Sequence, residues 1–167
     1  MKIEINPPDK IGELLRSKGL WLATAESCTG GLLGHLITTT AGSSEYYLGG
    51  FITYSNETKE RWLGVAHSTL VQYGAVSRET VQEMAHGIRN AFGEKILPEK
   101  IIGISISGIA GPGGGSPEKP VGTVWIGVSG ADGEEAVKFH FQGDRGEVKT
   151  RSAEKAMGLL VKYLQQH

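Results

Sequence analysis

The chain contains 167 residues, and its 17 basic and 18 acidic side chains give a formal net charge of -1. Because neither sign is gathered into a long run, the charge pattern argues against nucleic acid or an anionic membrane as a partner. No apolar stretch reaches the roughly 18 residues of a membrane span, and the N-terminus lacks the apolar core of a signal peptide. We therefore expect a soluble, cytoplasmic protein that folds as a single domain over residues 1–167.

The first half of the chain predicts helices that alternate with strands. The predicted elements are a helix over 9–18, a strand over 20–25, a helix over 32–37, a strand over 51–54 and a helix over 56–63. Gly19 supplies the stop signal of the first helix, and Asn56 is the predicted cap of the third. This alternation favours an α/β fold.

The second half predicts an amphipathic helix, a buried strand, a hairpin and a closing helix. Ser77 is the predicted N-cap of a helix whose apolar stripe ends near Gly93. The later elements are a strand over 101–106, hairpin strands over 123–128 and 136–141, and a helix over 147–165. Alternation followed by a hairpin predicts a three-layer α/β/α sandwich with a mixed, mostly parallel sheet and helices on both faces.

The turn ESCTGG, residues 26–31, joins the first predicted strand to its helix and is the first candidate for chemistry. Ser27 lies there at the carboxyl end of a strand, and the N–H groups of Thr29, Gly30 and Gly31 can face an anion or a developing oxyanion. Such a position suits a nucleophile. The alternative is that Ser27 or Thr29 only caps the helix and that the glycines allow close packing.

A serine nucleophile needs a base, and the segment YSNETK, residues 54–59, offers Lys59 and Tyr54. This segment also follows a predicted strand, so parallel strands would bring it to the sheet edge that carries Ser27. A lysine enclosed there loses its proton more readily than in water, because burial disfavours the charged form. It can then deprotonate Ser27 directly or through Tyr54. The alternative is a solvated lysine beside a half-buried tyrosine.

Other candidate residues give weaker signals. The five histidines have no acidic partner in a recognisable arrangement, so a Ser-His-Asp triad has no support in the sequence. Cys28 is a rival nucleophile beside Ser27, but a free cysteine is more commonly buried and inert. It is the single cysteine, which excludes an internal disulfide. The Cys and His spacings match no zinc motif, and we expect neither a metal nor a cofactor.

The glycine-rich loop over 108–122 matches neither the Walker A pattern nor GxGxxG. Its length and its prolines favour a binding loop or lid over a plain connector. The GDR sequence at 143–145 precedes the last predicted helix, where Arg145 can bind a phosphate or remain solvated.

Five blocks of the sequence together resemble the CinA family C-terminal domain in its stand-alone form. They are AESCTGGLLGHLI, AGSSEYYLGGFITYSNETKERWLGV, GAVSRETVQEMA, ISISGIAGPGGGSPEKPVGTVW and GDR, and they cover nearly the whole chain in the family's order. The resemblance implies a nicotinamide mononucleotide deamidase, which yields nicotinate mononucleotide and ammonia in pyridine nucleotide salvage. It also implies a catalytic serine, tyrosine and lysine, which correspond to Ser27, Tyr54 and Lys59.

The remaining roles are hypotheses built around that set. We expect Ser27 to attack the amide carbon, with Lys59 as the base and Tyr54 as a proton relay or positioning group. The expected substrate-binding residues are Thr29, Gly30, Gly31, Asn56, Ser107, Gly108, Ala110, Gly111 and Arg145. The expected partners are the small nucleotide substrate and a second copy of the chain in a homodimer. Two alternatives stay open: a nucleotide-binding regulatory module without turnover, and an amidase for another small pyridine amide.

Overall fold

The computed structural model describes residues 6–167, whose strands form one mixed sheet. The strands are β1 (Trp21–Glu26), β2 (Tyr47–Ile52), β3 (Ile101–Gly108), β4 (Thr123–Gly130) and β5 (Gly133–His140). Their order across the sheet is β2-β1-β3-β4-β5. Strand β1 pairs in parallel with β2 and β3, whereas β4 pairs antiparallel with β3 and β5. All strands except β4 therefore share one direction.

Helices cover both faces of this sheet. They are α1 (Pro7–Lys18), α2 (Leu32–Thr38), α3 (Asn56–Leu63), α4 (His67–Tyr73), α5 (Arg78–Ala91) and α6 (Arg145–Gln166). Helices α1 and α2 pack against α6 on one face, and α3 and α4 pack against α5 on the other. A hydrophobic core lies on each face of the sheet. Successive residues of β1 point to opposite faces, so Leu22 packs in the core beneath α6 and Ala23 packs in the core beneath α5. The predicted three-layer α/β/α arrangement is confirmed.

No helix within residues 6–167 is both long and apolar enough to cross a membrane. The longest, α6, carries charged residues along its solvent side and buries an apolar stripe against the sheet. Short 3₁₀ turns at Ser43–Glu45 and Pro98–Lys100 precede β2 and β3.

Strand β2 is longer at its start than the sequence predicts. The prediction covers 51–54, but the strand begins at Tyr47 and ends at Ile52. Adjacent glycines, which alone indicate a turn, here pair with β1. A Cβ at Gly50 would lie 2.0 Å from the Thr24 hydroxyl oxygen, so glycine is what lets the two strands approach. Because the strand ends early, Tyr54 lies in the connection beyond it.

Two helix starts in the middle of the chain also differ from the prediction. Ser55 caps α3 through its hydroxyl, and Asn56 is the first helical residue rather than the cap. Helix α4 is absent from the prediction, since its N-cap position carries no capping side chain. A distant carboxylate, Glu83 of α5, instead accepts the Ala66 N–H at 2.7 Å and the Thr69 hydroxyl at 2.6 Å. A cap supplied from another helix leaves no local pattern.

The hairpin and the closing helix are confirmed with small shifts at their ends. Strand β5 begins at Gly133, which shortens the predicted turn. Helix α6 begins at Arg145 because Asp144 is its N-cap. The Asp144 carboxylate accepts the Glu147 N–H at 2.9 Å, and the Glu147 carboxylate accepts the Asp144 N–H at 2.8 Å. This reciprocal capping box stabilises the helix start close to the glycine-rich loop.

Candidate active site

Ser27 lies one residue beyond β1, at the carboxyl edge of the sheet. Its N–H donates to the Ile106 carbonyl at 3.0 Å, which continues the pairing of β1 with β3 past the end of the strand. The residue is 7% exposed. The backbone that carries this hydroxyl is therefore held by the sheet, at the edge where α/β folds bind their ligands.

The turn after the serine is held by the buried carboxylate of Glu26. That carboxylate accepts the Thr29 hydroxyl at 2.7 Å. It also accepts the N–H groups of Gly31, Leu33 and Gly34, at 3.1, 3.0 and 2.8 Å. These are the donors that the start of α2 would otherwise leave unpaired, and the helix dipole favours a negative charge at this end. The carboxylate thus fixes the turn from inside the protein.

These bonds change the role predicted for the glycines of the turn. The Gly30 N–H donates to the Ser27 carbonyl at 3.1 Å, and the Gly31 N–H donates to the buried carboxylate. Neither is available to an oxyanion, which corrects the sequence hypothesis for these two groups. The N–H groups of Cys28 and Thr29 remain, since neither donates to another residue in the described part of the chain.

Lys59 reaches Ser27 from the first turns of α3. Its Nζ lies 3.1 Å from Ser27 Oγ, 2.8 Å from the Thr53 carbonyl oxygen and 3.2 Å from the Tyr54 carbonyl oxygen. The residue is 1% exposed. The predicted parallel pairing of the two strands is confirmed, and their ends place a hydroxyl and a buried amine in contact.

Burial lowers the pKa of Lys59 from 10.5 to about 8. Loss of hydration is the main cause, and the nearby Cys28 thiol acts in the opposite direction. No acidic side chain within residues 6–167 forms an ion pair with this lysine. Without a counter-ion the charged form is disfavoured, so a fraction of neutral amine is present near neutral pH.

The contacts of the Lys59 nitrogen determine where it can accept a proton. The carbonyl oxygens of Thr53 and Tyr54 are acceptors only, so both N–H bonds of a neutral amine are used on them. The lone pair is then left for the third contact, Ser27 Oγ. In that state the Ser27 hydroxyl donates to the amine, which is the contact that a general base requires.

Tyr54 lies beside this pair but does not hydrogen bond to it through its hydroxyl. The residue is 61% exposed, and its hydroxyl accepts a hydrogen bond from Arg145 at 2.9 Å. Arg145 also donates to the Gly111 carbonyl at 2.7 Å. One guanidinium therefore joins the tyrosine to the glycine-rich loop. This contact suits a positioning group, and the described structure contains no hydrogen bond that would relay a proton from Tyr54 to Ser27 or Lys59.

A cavity of about 190 Å³ opens between these residues. Its walls are Ser27, Cys28, Tyr54, Lys59, Ala75, Val76, Ser107, Gly108, Ala110 and Arg145. The predicted site residues that do not line it are Thr29, Gly30, Gly31, Asn56 and Gly111. Thr29 is buried and donates its hydroxyl to the Glu26 carboxylate, and Asn56 is exposed on α3. The cavity thus brings together Ser27, Tyr54 and Lys59 with only part of the predicted substrate-binding set.

One wall of the cavity has no signal in the sequence. Ala75 and Val76 connect α4 to α5, and the Ser107 hydroxyl donates to the Ala75 carbonyl at 2.7 Å. Lys119 of the glycine-rich loop donates to the Tyr73 carbonyl, at the end of α4, at 2.5 Å. The wall is held by contacts between residues far apart in the chain, which no local pattern predicts.

The other candidate nucleophile and bases are placed unfavourably. Cys28 lines the cavity, but burial raises the pKa of its thiol from 9.0 to about 11, so the reactive thiolate is scarce at neutral pH. All five histidines are exposed, and none lines the cavity. Across residues 6–167, no group of three or more His, Cys, Asp or Glu side chains is arranged to hold a metal ion.

Comparison with known proteins places this arrangement in a family. The family model described as the CinA C-terminal domain matches residues 6–164. The chain belongs to the CinA C-terminal domain family. The match spans the whole sheet, including both strand ends that carry the site.

Curated relatives include both short and long proteins of this family. The chain is 52% identical over 145 residues to nicotinamide-nucleotide amidohydrolase PncC of Enterobacter agglomerans, a match that covers 86% of this chain and 85% of the relative. It is 47% identical over 151 residues to a CinA-like protein of Thermotoga maritima, a match that covers 90% of this chain and 35% of the relative. The chain therefore spans about a third of the length of that CinA-like protein.

Solved structures of CinA relatives share the fold. A CinA superfamily protein from Klebsiella pneumoniae superposes with a TM-score of 0.87 at 35% identity, covering 98% of this chain and 100% of that one. The competence/damage inducible protein CihA from Agrobacterium tumefaciens gives a TM-score of 0.81 at 34% identity, covering 99% of both chains.

Proposed function

We propose that the chain hydrolyses the carboxamide of nicotinamide mononucleotide to nicotinate mononucleotide and ammonia, as a step in pyridine nucleotide salvage. The observation that carries the proposal is the buried Lys59 amine 3.1 Å from the Ser27 hydroxyl oxygen. The 52% identical relative named nicotinamide-nucleotide amidohydrolase supports this substrate. Amide hydrolysis through serine needs a nucleophile, a base and donors for the oxyanion, and each has a candidate here.

In the first half-reaction, the neutral Lys59 amine takes the proton of Ser27 as Oγ attacks the amide carbon. The new C–O bond pushes the carbonyl electron pair onto oxygen and forms a tetrahedral oxyanion. The protonated Lys59 then donates its proton to the amide nitrogen. The C–N bond breaks, ammonia leaves, and the nicotinoyl group remains as an ester on Ser27.

In the second half-reaction, water attacks the ester carbon while Lys59 takes a proton from it. The second tetrahedral intermediate collapses by breaking the bond to Ser27 Oγ, which recovers its proton from Lys59. Nicotinate mononucleotide leaves and releases its acid proton to solvent. A pKa of about 8 suits a lysine that must both accept and donate protons, because efficiency is greatest when the pKa is close to the working pH.

The oxyanion needs donors that are not already engaged. In this proposal they are the N–H groups of Cys28 and Thr29, which directly follow Ser27 and donate to no other described residue. Loss of one good donor of this kind typically lowers turnover about a hundredfold or more. The backbone of this turn is held by the Glu26 carboxylate, so the donors are fixed before substrate binds.

The size of the cavity indicates which part of the substrate it holds. At about 190 Å³ it is smaller than typical ligand pockets of roughly 300–1,000 Å³. The pyridine carboxamide therefore enters it, and the ribose and phosphate lie at its mouth. Exposed Tyr54, joined to Arg145, is at that mouth and would position the ring.

Ammonia release from nicotinamide mononucleotide tests the proposal. The wild-type chain is expected to release ammonia and nicotinate mononucleotide in equal amounts. Ser27→Ala is expected to lose about 10³-fold or more in turnover, because the nucleophile is removed. An unchanged thermal unfolding temperature would show that the variant is folded.

Other amides distinguish related activities. Faster hydrolysis of free nicotinamide than of the mononucleotide would contradict the proposed substrate and indicate an amidase for another pyridine amide. A wild-type chain that binds the mononucleotide without releasing ammonia would indicate a nucleotide-binding module. Full activity in Ser27→Ala would overturn the serine mechanism.

A further inference from the structure

Arg145 and Lys149 form a pair of cations at the start of α6. They are four residues apart, which places them on one face of the helix, about 6 Å apart along its axis. Arg145 lines the cavity that holds Ser27. Lys149 lies outside it, with Nζ 3.8 Å from the position that a Cβ on Gly30 would take. The second cation is therefore at the rim of the site, over the turn that carries the serine.

Lys149 has no polar partner in this chain as far as residues 6–167 show. Its side chain is half-buried and forms no hydrogen bond or ion pair there. Gly30 beneath it is exposed and adds no side chain that would fill the space. A half-buried ammonium has lost part of its hydration without gaining an anion, so a bound anion would be stabilised here.

A second cavity that Arg145 lines does not suit an anion. This cavity has a volume of about 500 Å³ and is lined by Gly111, Asp144, Arg145 and the start of α6. The carboxylates of Asp144 and Glu147 are bonded to each other's backbone N–H groups at this helix end. They repel a phosphate and occupy N–H groups that would otherwise bind one. An anion held by Arg145 is therefore expected on the Lys149 side.

We propose that Lys149, together with Arg145, binds the 5′-phosphate of the nucleotide substrate and selects the mononucleotide over the riboside. The inference rests on the proposed function. Because the ribose separates the pyridine ring from the phosphate, a carboxamide at Ser27 leaves the phosphate outside the small cavity. Arg145 is already tied to Tyr54 and Gly111, which leaves Lys149 as the cation without a partner at the rim.

Kinetics with two substrates test this role. Lys149→Met keeps most of the side-chain length and removes the charge. It is expected to raise KM for nicotinamide mononucleotide about 10-fold to 100-fold with kcat nearly unchanged, because the phosphate contact is lost equally in the ground and transition states. The kcat/KM for nicotinamide riboside, which lacks the phosphate, should not change. Lys149→Arg should restore most of the affinity for the mononucleotide.

Lys155→Met is the matched control, because Lys155 is exposed on the same helix and does not line the site. It should leave KM unchanged for both substrates. Equal losses on mononucleotide and riboside in Lys149→Met, or no change on either, would overturn the inference.

Binding without catalysis separates this inference from the proposed activity. In a Ser27→Ala background, calorimetric titration with nicotinamide mononucleotide should show weaker binding when Lys149→Met is added, and no such difference with nicotinamide riboside. Binding that depends on Lys149 in a chain whose wild type releases no ammonia would refute the proposed activity and support the phosphate site. Equal mononucleotide affinity with and without Lys149 would refute the phosphate site even if the activity is confirmed.

Discussion

Two glutamates cap helix starts on opposite faces of the sheet, and only one of them adjoins the serine–lysine pair. Glu26, at the end of β1, accepts N–H groups at the start of α2 and the Thr29 hydroxyl. Glu83, on α5, accepts an N–H at the start of α4 and the Thr69 hydroxyl. Each carboxylate therefore does the same structural task from a different element.

The cavities beside these two glutamates differ in size and in chemistry. The groove that includes Glu83, Trp62 and His86 has a volume of about 800 Å³, against about 190 Å³ for the site near Glu26. Its His86–Glu134 contact at 3.2 Å joins two exposed side chains. The small cavity instead contains a buried lysine without a counter-ion. A buried ionisable group without a counter-ion, rather than volume, is the feature that marks the proposed active site.

Among the variants that compare the small cavity with the rest of the protein, removal of the proposed base, Lys59, is expected to lower activity most. Lys59→Met keeps the volume of the buried stem and should lower kcat/KM for amide hydrolysis by about 10²-fold to 10⁴-fold. Ammonia release measures the loss, and the unfolding temperature verifies the fold. Lys95→Met, which changes an exposed lysine outside the site, is the control and should be neutral. A Lys59→Met variant that keeps more than about a tenth of the activity would show that another group is the base.

The same lysine sets the direction of the pH dependence. The kcat/KM should rise with pH and level off above about 8, since the neutral amine is the base. The folded pKa lies below 10.5, so the unfolded chain holds the proton more tightly. Lys59 therefore lowers the free energy of unfolding below about pH 8, and this penalty disappears as the pH rises to 10.5. A rate that falls through pH 8 would mean that the protonated lysine is required.

The next largest difference in kcat is expected between variants of the two capping glutamates, Glu26 and Glu83. Glu26→Gln replaces an acceptor-only group with an amide whose NH₂ faces backbone donors at the start of α2. The turn should shift, and a misplacement of Ser27 near 1 Å is enough to lower kcat about 10²-fold. Glu83→Gln makes the same chemical change at α4 and should lower stability with little effect on kcat. Ammonia release and urea unfolding of both variants measure the difference.

The pH profile of kcat in Glu26→Gln distinguishes a glutamate that positions the turn from one that takes part in proton transfer. Because Glu26 holds the turn and does not contact Lys59, its variant should keep the rise near pH 8 while the maximum rate falls. A profile that shifts in Glu26→Gln, or an equal loss of kcat in Glu83→Gln, would contradict the distinction drawn between the two regions.

The contact between Ser27 and Lys59 was predictable from the positions of the two segments, although the local sequence also allowed a capping serine and a solvated lysine. Ser27 and Lys59 both follow apolar strand-like runs, and parallel strands bring their ends to one edge. The glycines of the turn were misassigned, since only the fold shows that the Gly31 N–H is used by the Glu26 carboxylate. The positive φ of Gly31, 101°, is consistent with the turn signal but does not specify the partner.

Contacts between distant segments account for the remaining differences. Helix α4 depends on Glu83, and the cavity wall at Ala75 depends on the Ser107 hydroxyl, and neither pair is close in sequence. Strand β2 was shortened in the prediction because Gly50 indicates a turn when its neighbour across the sheet is unknown. Local patterns locate elements well, whereas caps and walls depend on the assembled fold.

The smallest expected effect on activity comes from the groove itself. Gly87 of α5 lines the groove, and a Cβ there would lie 1.9 Å from the Leu63 carbonyl oxygen at the end of α3. Gly87→Ala should therefore destabilise the fold by up to about 2 kcal/mol, since overpacking outweighs the gain of about 1 kcal/mol in helix propensity. Gly158→Ala, in α6, meets no atom within 4 Å and should stabilise the chain instead.

Thermal unfolding should show the two alanine variants shifting in opposite directions, by about 2–4 °C for each kcal/mol. Below the unfolding transition, kcat should stay within about twofold of wild type in both, because neither residue touches the cavity. Helix α3 also carries Lys59, so a large fall of kcat in Gly87→Ala would mean that pressure on Leu63 displaces the amine. In that case a change of packing in the groove would alter the geometry of the small cavity, and the two regions would not be independent.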